Sequence, residues 1–236
     1  MDKEYEALLN SYRRMLSMVD AIHFNSQNTA DVYSTYVNVP SGSRVLPITH
    51  RGVSDHRKIR SFDSSMLRMG FIGSEAPYKG LPMLKRVVSR LNYEGYASLL
   101  ILNAYGGRHG YDEELCNVQY KGRFAASQMA DIYDLMDLLV VPSIWNETFS
   151  LITIEALQYG VPVLVSSKVG AKDIVAQYAP QFIFNDEDEL YRILHRLVLK
   201  RDELVDYNKA VVSSPWQWSM MQHAKDIENL IYKENL

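Results

Sequence analysis

Apolar positions recur along the chain with two periods, and their alternation sets out the elements. Tyr5, Leu8, Leu9, Tyr12, Leu16 and Val19 return at helical spacing, which predicts an amphipathic helix over residues 3–19. Residues 20–25 read as a short strand, Ser26 as the cap of a helix to about Tyr36, and residues 44–48 as a second strand after the turn Ser41-Gly42-Ser43. From Met69 onward strands and helices alternate. Strands are predicted over 69–73, 97–103, 117–121, 137–141, 161–165 and 181–184. Helices are predicted over about 80–92, from a Ser127 cap to Met136, over 149–159, 173–177, and 187–200 behind an Asp186 cap. Pro215 opens a closing helix carrying Trp216, Trp218, Met221, Ala224, Ile227 and Ile231. Such alternation predicts an α/β fold, a doubly wound and mostly parallel Rossmann-like sheet.

Composition narrows the class only modestly. The chain has 236 residues, 47% hydrophobic and 22% charged, an ordinary globular balance. A net charge of -3 gives no reason to expect a nucleic-acid partner. Cys116, the single cysteine, has no intrachain partner, which fits a reducing compartment. No apolar run reaches the length of a membrane span, and the charged start does not read as a signal peptide. Residues 55–68 are polar and basic, with His56, Arg57, Lys58, Arg60 and Arg68. They read chiefly as a solvated linker, with a cationic lip on a cleft as the functional alternative.

The candidate chemistry gathers in residues 141–166, VPSIWNETFSLITIEALQYGVPVLVS. This stretch reads as strand end, loop, helix, turn and strand. Thr148 or Ser150 is placed to cap the helix, Gly160 to end it in a left-handed turn, and Pro162 to prevent its continuation. A helix start behind a strand suits an anion, offering the N–H groups of Thr148, Phe149, Ser150 and Leu151. Glu147 just before the helix and Glu155 two turns in are spaced E-x7-E. Carboxylates repel phosphate and accept from hydroxyls, so the pair suits a ligand with sugar hydroxyls at its ends and phosphates between, the layout of a nucleotide sugar.

This string resembles the donor-site signature of the GT-B retaining glycosyltransferases of family 4, roughly PS…E-x-F-G-x-x-x-x-E-A…G-x-P-V. Pro142, Ser143, Glu147, Phe149, Glu155, Ala156, Gly160, Pro162 and Val163 match; Ser150 stands where the family usually has Gly. The family's diphosphate loop, G-R-x-x-x-x-K-G, corresponds to Gly73, Ser74, Lys79 and Gly80, with Ser74 in place of the bidentate Arg. Arg51, Arg108 and Arg123 are candidates to compensate. The resemblance also places the nucleotide base near Arg123, and it matches Gly170 and Ala171 to the family's two-glycine loop. More loosely, residues 1–55 resemble the end of an N-terminal Rossmann-like domain, with 56–68 a linker, 69–212 the nucleotide-sugar-binding domain and 213–236 the closing helix.

What the resemblance implies is the donor half of a metal-independent, retaining hexosyltransferase-like enzyme with no cofactor beyond its nucleotide-diphosphate sugar. Glu147 and Lys79 are implied as the catalytic pair. Gly73, Ser74, Lys79, Arg123, Glu147, Thr148, Phe149, Ser150, Leu151 and Glu155 are implied to bind the donor. A sugar or glycolipid acceptor and a cytoplasmic setting are expected, with peripheral membrane contact left open. The short N-terminal part suggests a fragment, or a chain that completes its cleft with a missing N-terminal domain or a partner subunit. The alternatives are a non-catalytic nucleotide-sugar-binding partner and, on fold alone, a sugar-nucleotide epimerase. A glycosidase pair is disfavoured, because a phosphate-binding helix start would lie between its two carboxylates.

Overall fold

In the computed structural model, residues 3–233 are described; Met1, Asp2, residues 234–236 and the side chains of Ile231, Tyr232 and Lys233, which include the end of the expected closing helix, lie outside the described parts. The N-terminal segment contains α1 (Lys3–Leu16), β1 (His23–Phe24), α2 (Gln27–Ser34) and β2 (Arg44–Val45). β1 and β2 pair in parallel as a two-stranded sheet. Ser26 caps α2 as predicted, accepting from the Thr29 N–H.

The second sheet begins at β3 (Leu67–Ile72), followed by α3 (Leu81–Tyr93), β4 (Leu100–Tyr105), β5 (His109–Tyr111), β6 (Val118–Gly122), α4 (Met129–Asp134) and β7 (Leu138–Val141). It continues through α5 (Leu151–Leu157), β8 (Val163–Ser166), α6 (Lys172–Tyr178) and β9 (Ile183–Phe184); α7 (Glu187–Leu199), α8 (Asp202–Ser213) and α9 (Met220–Ile227) follow, the last running on into a π-helical turn over Glu228–Lys233. Its strand order is β5-β6-β4-β3-β7-β8-β9, parallel throughout except for the β5–β6 pair. The expected doubly wound sheet is present. β7 and β8 are buried at every position, as central parallel strands covered on both faces require. From β3 the order runs outward through β4 and β6, and from β7 outward through β8 and β9. Connections therefore diverge at the β3/β7 boundary, the place where such sheets open a crevice at the carboxyl ends of their strands.

Several local expectations are corrected. The Gly-rich loop at 105–110 holds a strand, β5, entered and interrupted by left-handed Gly106 and Gly110. Ser127 makes no capping bond; a 3-10 turn over Ala126–Gln128 leads into α4. The closing helix starts at Met220, not after Pro215, because Ser219 takes the cap by accepting from the Gln222 N–H. Trp216 and Trp218 lie in irregular chain ahead of it: Trp218 is buried, its carbonyl accepting from Thr49 Oγ1 at 2.6 Å.

The basic stretch at 55–68 is a structural strap. Arg57 pairs with Asp55 at 2.8 Å and lies over the Trp216 ring. Arg60 donates to the carbonyls of Tyr133 and Met136, and Lys58 pairs with Asp134 at 2.9 Å. Arg68 bonds the fully buried Asp137 at 2.5 Å, tying the start of β3 to the start of β7.

Candidate active site at the sheet switch point

A cavity of about 240 Å³ opens beyond β3 and β7, lined among others by Gly73, Lys79, Ser143, Glu147, Ser150 and Leu151. Lys79 ends a 3-10 turn, Pro77–Lys79, that stops at left-handed Gly80. A Cβ on Gly80 would lie 1.7 Å from the Pro142 carbonyl oxygen, so only glycine lets this loop sit against the end of β7. Lys79 Nζ reaches Glu147 Oε1 at 2.8 Å, and Ser143 Oγ donates to the same oxygen. The pair is half-buried, with side-chain exposures of 34% for Lys79 and 13% for Glu147.

The backbone of Glu147 is held from the other side. Its N–H donates to the Lys168 carbonyl at 2.9 Å and its carbonyl accepts from the Gly170 N–H at 3.0 Å, a parallel bridge to Val169. Next to it, the Thr148 carbonyl accepts from Ser26 Oγ at 2.5 Å and Thr29 Oγ1 at 3.1 Å, so α2 of the N-terminal segment clasps the same loop.

Helix α5 starts later than predicted. Ser150 occupies the cap position at φ 90, left-handed, and its buried hydroxyl finds no partner. The usual family glycine at this position suits that conformation without strain. Thr148 is exposed and bonds only through its backbone, while Phe149 is buried in the core.

Glu155 does not line the cavity. Its Oε1 lies 3.0 Å from His50 Nε2. Because the Gly52 N–H donates to His50 Nδ1, the neutral ring carries its proton on Nε2 and donates it to the carboxylate. Beneath them, burial pushes the Tyr133 phenol well above its ordinary value, and the neighbouring Glu155 charge pushes the same way.

Of the expected site residues, Gly73, Lys79, Glu147, Ser150 and Leu151 converge on the cavity. Ser74 and Arg123 are exposed outside it. Among the compensating arginines, Arg108 is engaged with Glu75 at 3.3 Å and lies over Tyr120. Lys79 is the one cation lining the cavity among the described residues. Two contributors were not among the expected site residues. Ser143 stands four residues before Glu147 within the matched string, a signal that could have found it. His50 meets Glu155 across 105 residues, and no local pattern marks it. Size does not select this cavity: a hollow of about 620 Å³ lined by Arg13, Arg14 and Tyr36 is larger, but holds no carboxylate to face a sugar. Among the described residues no group of three or more His, Cys, Asp or Glu is placed to hold a metal ion, and no helix is long and apolar enough to cross a membrane.

Comparison with known proteins identifies the family and the fold. Residues 67–200 match the model of the family "Glycosyl transferases group 1". An uncharacterised glycosyltransferase of Methanocaldococcus jannaschii is 29% identical over 112 residues, covering 44% of this chain and 28% of that protein. The lipopolysaccharide 1,2-N-acetylglucosaminetransferase of Salmonella typhimurium is 22% identical over 167 residues, 63% of this chain and 44% of that protein. Among solved structures, Anabaena HepE in complex with UDP-glucose superposes with a TM-score of 0.74 at 14% identity, covering 98% of this chain and 70% of that one. Sucrose-phosphate synthase of Thermosynechococcus elongatus gives 0.71 at 17%, covering 99% and 63%. The chain thus spans less than half the length of the two curated relatives. Its family match covers more than half of its own residues, and it belongs to the group 1 glycosyl transferases, with the GT-B fold.

Proposed function

We propose that this chain carries the donor half of a glycosyltransferase that moves a hexose from a nucleotide-diphosphate sugar to a sugar or glycolipid acceptor with retention of configuration. The observation that carries the reading is the Lys79–Glu147 pair at the mouth of the switch-point cavity. When the glycosyl bond breaks, negative charge develops on the departing diphosphate, and a fixed ammonium beside it stabilises that charge without a metal ion. Lys79 takes that role, together with the N–H groups at the start of α5, which lack helical acceptors. Glu147, released from Lys79 as phosphate draws the ammonium, accepts from hydroxyls of the donor sugar. Glu155, outside that cavity with Oε1 held by His50, accepts from the ribose of a donor that extends beyond it. HepE, a structural neighbour, binds UDP-glucose, which supports a nucleotide sugar as donor. A cytoplasmic setting, with peripheral membrane contact, goes with that substrate.

A second reading, a binding partner without transfer activity, is favoured by one feature. Lys79 alone faces a diphosphate that needs two negative charges balanced, since Ser74 replaces the arginine and Arg108 is engaged elsewhere. Calorimetric titration with UDP, GDP, ADP and their sugar conjugates tests both. Selective binding of one nucleotide sugar, weakened at least tenfold in Lys79→Ala and in Glu155→Ala, is expected. Binding of none removes the donor-site reading; binding without transfer to any acceptor selects the second.

A further inference from the structure

The loops that deliver Lys79 and Glu147 also carry an exposed apolar ledge. Tyr78, Ile144 and Trp145 are 49%, 57% and 66% exposed. The Ile144 N–H donates to the Tyr78 carbonyl at 3.0 Å, which joins the two loops, and the Tyr78 and Trp145 rings stand 6.4 Å apart at 58°. Tyr78 adjoins Lys79, and Trp145 precedes Glu147 by two residues, yet neither ring lines the cavity. The ledge therefore lies beside the donor cleft and outside it. Nothing in the mechanism above uses it, and water-facing aromatic surface of this kind marks a binding place.

We propose that Tyr78 and Trp145 form a platform for a pyranose ring of the acceptor, seated against the cleft that holds the donor; the assignment to the acceptor rests on the donor-site reading. A pyranose has an apolar C–H face and a rim of hydroxyls. The face suits an exposed aromatic ring, and the rim requires polar neighbours, which the exposed Asn146 amide between Trp145 and Glu147 supplies. A ring stacked there lies outside the donor cavity, so it belongs to a second sugar. Other occupants fit less well. A protein partner needs about 800 Å² on each side, more than three side chains present. An anionic membrane surface needs free cations around the aromatics, and the adjacent Lys79 is already paired with Glu147.

The test uses the full chain and its Trp145→Ala, Trp145→Phe and Tyr78→Ala variants on a printed array of glucose-, galactose- and N-acetylglucosamine-terminated oligosaccharides. The four proteins are titrated in parallel with UDP-glucose, UDP-N-acetylglucosamine and GDP-mannose. Array binding by the wild type is expected to fall at least fivefold in Trp145→Ala and in Tyr78→Ala and to be largely kept in Trp145→Phe. Nucleotide-sugar affinity should stay within twofold, with unchanged thermal midpoints. Absence of wild-type array binding, or equal binding by all four, overturns the platform. Parallel loss of donor and saccharide binding in Trp145→Ala also overturns it, by placing the ring in the donor site. Ledge-dependent array binding without any nucleotide-sugar binding supports the platform while removing the donor-site reading.

Discussion

Ser150 is the one non-glycine residue with a left-handed φ among the described residues, and it opens the helix that follows Glu147. An L-residue in that region costs about 1–2 kcal/mol, and its unpartnered buried hydroxyl adds to the strain. Ser150→Gly is therefore expected to stabilise the chain by about 1 kcal/mol, read as a raised midpoint in urea unfolding, with donor affinity unchanged. Ser150→Ala, which keeps the Cβ, should not bring the full gain. The residues of this loop were legible because the motif is contiguous and the helix start between its glutamates is local. His50 was not, because it reaches Glu155 only through the fold, and Ser74 and Arg123 were carried by the family pattern into positions that this chain leaves outside the cavity.

At the scale of elements, a buried carboxylate locks β5, β6 and α3 together. Asp112, just after β5, accepts from Lys85 Nζ of α3 at 2.6 Å, from Tyr120 Oη of β6 at 2.8 Å, and from the N–H groups of Glu114 and Leu115. Burial alone would raise its pKa; Lys85 and Tyr120 overcome that and hold it at about 2. A folded-state value below the ordinary 3.8 gives stability that is complete above about pH 4 and lost as pH falls toward 2, worth about 2 kcal/mol. Urea midpoints stepped through that window should drop for the wild type and change less for Asp112→Asn, which is less stable at pH 7. This lock was hidden in the sequence because β5 has three residues, with left-handed Gly106 ahead of it and left-handed Gly110 at its middle, a pattern that reads as a turn. Long periodic elements such as α3 and α7 were legible to within a residue or two. α8 was passed over, although Leu204, Tyr207 and Val211 recur at helical spacing on its buried face.

For the whole molecule, the sequence pattern carried the fold class but not how the N-terminal segment seats on the large sheet, since no local period encodes a contact across more than a hundred residues. That seat is built at Gly170. A Cβ there would lie 2.2 Å from the Thr148 carbonyl oxygen and 2.5 Å from Ser26 Oγ, so the β8–α6 turn, the Glu147 loop and the start of α2 meet at a point only glycine can occupy. Asn28 adds bonds to the carbonyls of Glu147 and Lys168, both at 3.3 Å. Farther along, Thr49 donates to the Trp218 carbonyl and His50 reaches Glu155, but no residue of α1 is buried, and β1 and β2 are two residues each. Gly170→Ala must therefore push α2 off the loop or move the loop itself, at a cost of about 1–3 kcal/mol. Hydrogen exchange separates the two. Faster exchange confined to α2 and the β1–β2 amides is expected, with β3, β7 and β8 unchanged, because the large sheet keeps its own core. Loosening that extends to the Glu147 and Val169 amides, with weaker nucleotide-sugar binding, would instead show that the clasp fixes the Glu147 loop, and Ser26→Ala should then reproduce it.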